Sequence, residues 1–118
     1  MGSPVTHWEI MGEDGDGLGD FYAGVFGWNL AAVPGLDSDF TVSGDEAGGS
    51  GGAVGKGMED MVSYLTMYFD VDSIDDQLAQ IEAAGGRTIV PSTVIPDTVT
   101  FAMFADPAGN LLGLNENE

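Results

Sequence analysis

The stretch that most constrains this chain is Asp106-Pro107-Ala108-Gly109 with its flanks. Asp offers a side-chain acceptor first, Pro fixes φ second and Gly stands fourth, the order a type I turn favours, so the chain must reverse here. Before the turn Val99, Phe101 and Met103 alternate with Thr98, Thr100 and Ala102; after it Leu112 and Leu114 alternate with Gly113 and Asn115. Strict alternation on both sides predicts a hairpin with one face in a core and the other free for a ligand.

A chain of 118 residues has the size of one domain and can bury most of its apolar surface. Leu, Ile, Val and Phe supply about a quarter of it, enough for a core despite a formal net charge of −18. Twenty acidic residues face only Lys56 and Arg87, so nucleic acid and anionic membrane surfaces are repelled. The acids are spread evenly, eleven in residues 1–60 and nine after, as on a solvated surface rather than in one acidic site. Without cysteine there is neither disulfide nor thiolate chemistry. No run approaches the roughly 18 apolar residues of a bilayer span and the first residues lack a signal pattern, so a cytoplasmic location is expected.

In chain order, Val5 to Met11 reads as a strand, with Trp8 and Ile10 on one face and His7, Glu9 and Met11 on the other. Leu18, Phe21, Tyr22, Val25 and Phe26 then fall on an amphipathic helical stripe, with Asp14 and Asp16 suited to its start and Gly27 to its end. That spacing assigns Phe21, Tyr22 and Phe26 to the core with Trp8 and Trp28. Trp28 to Val33 and Phe40 to Ser43 read as strands, and Gly44 to Gly57 as a glycine-weakened strand. Lys56 to Asp60 reads as a connector. Tyr64 to Val71 repeats the first strand, with Tyr64, Thr66, Tyr68 and Asp70 on one face and Leu65, Met67, Phe69 and Val71 on the other. Ser73 caps a helix along Ile74, Leu78, Ile81 and Ala84 that Gly85-Gly86 ends. Thr88 to Val94, with Pro91, suits an edge strand.

Each half thus reads strand, helix, three strands, repeated at about 59 residues, an internal duplication. The expected fold is α+β, two βαβββ modules over about 4–57 and 62–117, forming curved mixed sheets around a concave ligand cleft.

His7-Trp8-Glu9-Ile10 in the first strand, Asp14 beyond it, Phe21-Tyr22 and Phe26-Gly27-Trp28 in the helix, and Asp106-Pro107-x-Gly109-Asn110 before the last strand together resemble the vicinal-oxygen-chelate superfamily of glyoxalases, extradiol dioxygenases and bleomycin-resistance proteins. The resemblance covers residues 4 to 116 and implies the paired βαβββ fold, a ligand cleft and, often, a homodimer. It also implies a divalent metal held from the first and last strands of each module. His7 occupies the first of those positions, Thr66 stands at its counterpart, Gly113 replaces the usual Glu, and the fourth falls within the glycine-rich 48–57. Thr is a poor ligand and Gly is none, so a metal-free protein without cofactor is expected. The alternative is a lyase, isomerase or dioxygenase with a relocated Mg²⁺ or Mn²⁺ site built from His7, Glu9 and Asp70, with Glu116 if the last strand slips.

His7, the only histidine, and Glu9 are the candidate catalytic residues, since a near-neutral imidazole beside a carboxylate can move protons. Met11, Tyr64, Thr66, Tyr68, Asp70, Phe104 and Asn115 are the candidate ligand-binding residues. Gly48-Gly49-Ser50-Gly51-Gly52 imitates a nucleophile elbow and Gly55-Lys56-Gly57 a phosphate loop, but neither has the required sequel. The leading expectation is a small organic molecule bound without metal. Negative potential and aromatic residues would also suit a basic aromatic drug.

Overall fold

The computed structural model describes residues 2–47, 51–57 and 63–116. The elements are β1 (Val5–Gly12), α1 (Gly15–Phe26), β2 (Ala31–Ala32), β3 (Asp39–Val42), α2 (Gly44–Ala47) and β4 (Gly52–Lys56), then β5 (Tyr64–Val71), α3 (Ile74–Ala83), β6 (Arg87–Ile95), β7 (Val99–Ala105) and β8 (Leu111–Glu116). The class is α+β, and strand-helix-three strands occurs twice, with the four-residue α2 interposed in the first run. No helix among the described residues is long and apolar enough to cross a membrane.

Two compact units result, one of His7–Leu65 and one of Met1–Thr6 with Thr66–Glu118. Their boundaries fall inside β1 and β5. The Asp70 N–H donates to the Pro4 carbonyl at 3.0 Å and the Thr6 hydroxyl donates to Asp70 Oδ1 at 2.9 Å, which ties the first residues of β1 to the later unit.

In His7–Leu65 the strand order is β2-β3-β4-β1, with β1 and β4 parallel and the other pairs antiparallel. Asp14 caps α1 by accepting from the Gly17 N–H at 3.0 Å, and Gly27 ends it in the left-handed region at φ 72°. The helix docks through small residues. A Cβ at Gly15 would collide with the Ser38 carbonyl, and one at Gly19 would stand 3.1 Å from the Phe40 ring. This close approach corrects the expected stripe: Gly15 and Gly19 are buried, whereas Phe21, Val25 and Phe26 are 54%, 59% and 59% exposed. Phe21 and Val25 lie about a third of a turn from the glycine contact line, and Phe26 sits at the helix end. Tyr22 stacks on Trp28 at 5.9 Å, and Trp28 approaches Trp8 at 5.5 Å. With Trp28 in that aromatic cluster, the strand expected over 28–33 shrinks to Ala31–Ala32. The glycine-rich segment divides into α2 and β4; residues 48–50 of the elbow-like run and 58–60 of the connector lie outside the described residues, and β4, not a helix, follows Gly51.

In the other unit the order is β5-β8-β7-β6, with β5 and β8 parallel and the two hairpins antiparallel. Asp106 builds the central turn as expected: its Oδ1 accepts the Ala108 and Asn110 N–H groups, both at 2.9 Å, and its carbonyl accepts Gly109 N–H at 2.9 Å. These bonds to the ionised form, led by the Asn110 side chain, hold the Asp106 carboxyl below its ordinary value. Ser73 caps α3 by accepting the Asp76 N–H at 3.2 Å. Strand β6 lies at the edge, and its register shifts between Val90 and Thr93, around Pro91. The core lies between α3 and one sheet face: Ile74 and Leu78 meet Val71, Ala102, Phe104 and Leu114.

Candidate functional site

In His7–Leu65, strand alternation puts His7, Glu9 and Met11 on the face away from Trp8. His7 Nε2 and Glu9 Oε2 are 3.3 Å apart, both only partly exposed, so the two expected catalytic residues do meet. Met11 is buried at 8% exposure. The register Glu9↔Ala53, Met11↔Gly55 and Asp39↔Gly55 extends this face to Ala53, Gly55 and Asp39. Asp39 is a residue sequence reasoning missed. It alternates with Thr41 opposite Phe40 and Val42, but a strand read as starting at Phe40 leaves it out. Its Oδ1 accepts the Lys56 backbone N–H at 2.9 Å, and a Cβ at Gly55 would collide with its carboxylate, so the glycine makes room for it.

Charge couples these groups. Burial pushes the Asp39 carboxyl above its ordinary value, against the Lys56 N–H bond that lowers it, and the Glu9 charge raises it further. The Tyr64 phenol is pushed up to about 12, first by burial and then by Glu9 and Asp39. Glu9, Asp39 and Tyr64 thus share one electrostatic neighbourhood that combines carboxylate acceptors with a phenol held neutral as an O–H donor. A partner bearing N–H⁺ or several donors matches it.

In the other unit, the face of β5 away from α3 carries Thr66, Tyr68 and Asp70. Thr66 is 7% exposed and its hydroxyl donates to the Leu111 carbonyl at 2.8 Å. Tyr68 is 4% exposed, and its ring lies on Gly113: a Cβ there would stand 2.7 Å from Tyr68 Cζ and nearer still to the ring edge. Asp70 accepts from Thr6 and pairs in register with Asn115. Phe104 does not belong to this face. It lies in the core beneath α3, 6.4 Å from Phe69, because alternation places it with Ala102 and not with Met103.

The donor set implied by resemblance does not fit a metal. The registers Glu9↔Ala53 and Tyr68↔Gly113, with His7 and Thr66 at matching places in the repeat, make Ala53 the counterpart of Gly113. The four positions then hold one imidazole, one hydroxyl already donating to a carbonyl, and two residues without donors. Of the relocated set, Glu116 Oε1 accepts the Ile74 N–H at 2.8 Å, at the start of α3, and Asp70 Oδ1 accepts the Thr6 hydroxyl at 2.9 Å. Among the described residues no group of three or more His, Asp or Glu is placed to hold an ion.

A family model described as the Glyoxalase/Bleomycin resistance protein/Dioxygenase superfamily matches residues 5–114. The anthracycline biosynthesis protein DnrV of Streptomyces peucetius is 33% identical over 107 aligned residues, covering 76% of this chain and 38% of that protein. The chain therefore spans well under half the length of this curated relative. Among solved structures, a hypothetical protein of Bacillus halodurans C-125 superposes with a TM-score of 0.71 at 15% identity, covering 100% of this chain and 96% of the other. Methylmalonyl-CoA epimerase of Mycobacterium tuberculosis gives 0.67 at 13% identity, covering 97% and 87%. A superfamily member from Vibrio splendidus 12B01 gives 0.63 at 16%, covering 99% and 100%. At these identities the structures establish the shared fold alone.

Proposed function

Because the chain belongs to the glyoxalase/bleomycin resistance protein/dioxygenase superfamily, we propose that it binds a small aromatic organic molecule with a basic group, without a divalent metal, on the sheet face of His7, Glu9, Asp39 and Tyr64. The observation that carries the metal-free reading is the Tyr68 ring on Gly113: the room a ligating side chain would need is taken by the protein's own phenol. The basic group is supported by Glu9 and Asp39 beside a neutral Tyr64, and the aromatic body by the name of the relative, an anthracycline biosynthesis protein. The His7–Glu9 pair supplies a base should the bound molecule be turned over.

The test is calorimetry with Mn²⁺, Ni²⁺ and Zn²⁺, then with an anthracycline that carries a basic amino sugar and with its uncharged aglycone. Metal heats no greater than dilution are expected, together with tighter binding of the basic compound that weakens with salt and with Asp39→Asn. Stoichiometric sub-micromolar metal binding that His7→Ala abolishes would refute the metal-free reading. Equal affinity for the aglycone would refute the basic group.

A further inference from the structure

We propose a second binding site, on the helix side of His7–Leu65, for a small organic cation: a quaternary ammonium or protonated amine on a flat apolar body. It is independent of the sheet-face reading above. A groove of about 320 Å³ runs between α1, which contributes Asp16, Gly19, Asp20 and Ala23, and a facing wall that includes Trp28 and Phe40. Its volume is at the lower end of small-ligand sites.

Three features fix the ligand class. The helix positions follow at i, i+3, i+4 and i+7, one face of α1, with Gly19 and Ala23 in one row along it and Asp16 and Asp20 in the next. The small side chain of Ala23 leaves a trough along this face, which narrows at Gly19, where a Cβ would press on Phe40. The wall carries Trp28 and Phe40 beside Asn29 and Leu30, which favours an apolar body with its cation near an aromatic ring. Asp16 and Asp20 flank the trough one helical turn apart, and among the described residues no hydrogen bond or ion pair engages either carboxylate. Lys56 is the one Lys or Arg of His7–Leu65 against eleven Asp and Glu, so the surrounding potential repels anions and attracts cations.

The test titrates the full chain with benzyltrimethylammonium and, as neutral control, benzyl alcohol, followed by calorimetry and tryptophan fluorescence. Saturable one-site binding of the cation is expected, at least tenfold tighter than the alcohol. The near-isosteric pair Asp16→Asn and Asp20→Asn should weaken it at least tenfold by removing both Coulomb attractions. Ala23→Phe should abolish it by filling the trough, while Glu9→Gln, which disables only the sheet face, should leave it unchanged. Cation binding unaffected by the Asn pair, or retained in a folded Ala23→Phe protein, would mean a diffuse counterion atmosphere and overturn the proposal. Loss in Glu9→Gln would instead assign the cation to the sheet face.

Discussion

Replacing Gly113 by Ala tests whether Tyr68 truly occupies the space beside it. The added Cβ would lie 2.7 Å from Tyr68 Cζ and nearer still to Cε2 and Cδ2, while apolar carbons sit comfortably at about 3.5–4 Å, so the ring must retreat by more than about 1 Å. With 4% of its surface exposed the ring has little room to do so, and overpacking of this kind costs about 1–3 kcal/mol. Backbone strain does not enter, since Gly113 is not among the glycines with positive φ. Without the clash, replacing a strand glycine by alanine stabilises by about 0.5–1 kcal/mol. The effect should therefore change sign in a Tyr68→Val background, where the shorter side chain clears the site. A double-mutant cycle by urea denaturation should give a coupling of about 2 kcal/mol or more, near 4 °C in Tm per kcal/mol for a chain of this length. If Gly113→Ala costs the same in both backgrounds, the ring does not fill that space and the principal argument against a metal at 113 is lost.

Three other outcomes follow from the same geometry. Ultraviolet titration, assigned by difference from Tyr64→Phe, should place the Tyr64 phenol near 12 and show it falling in Asp39→Asn. Because the folded value lies above the unfolded value of 10, the linked stability is intact below pH 10 and lost as pH rises from 10 towards 12. Glu116→Ala removes the carboxylate that accepts the Ile74 N–H and should lower stability by about 0.5–2 kcal/mol, read from the denaturation midpoint at constant m. With a net charge of −18, Tm should rise as salt goes from about 0.01 M to 1 M and the Debye length shrinks from about 30 Å to 3 Å; a flat profile would mean self-repulsion is not limiting.

The residues themselves determined the central turn, the helix caps and the order of the elements. Asp106-Pro107-Ala108-Gly109 built its hairpin, Asp14 and Ser73 capped their helices, Gly27 ended α1, and the 59-residue repeat gave strand-helix-three strands twice. These signals lie within a few residues of the backbone they direct, so no long-range partner is needed to read them. Tertiary structure decided which faces are covered. Alternation separated Leu65 and Met67 from Thr66 and Tyr68, yet the first two are exposed and the second two buried, because the core beneath α3 takes only Phe69 and Val71 from that apolar row. The helical stripe pointed Phe21 inward, but the glycines at 15 and 19 let the sheet approach on another side of α1. Asp39 beside Glu9, and Tyr68 laid over Gly113, depend on register between strands distant in sequence. A side chain's period says which neighbours it shares a face with; what lies across from that face is set by packing.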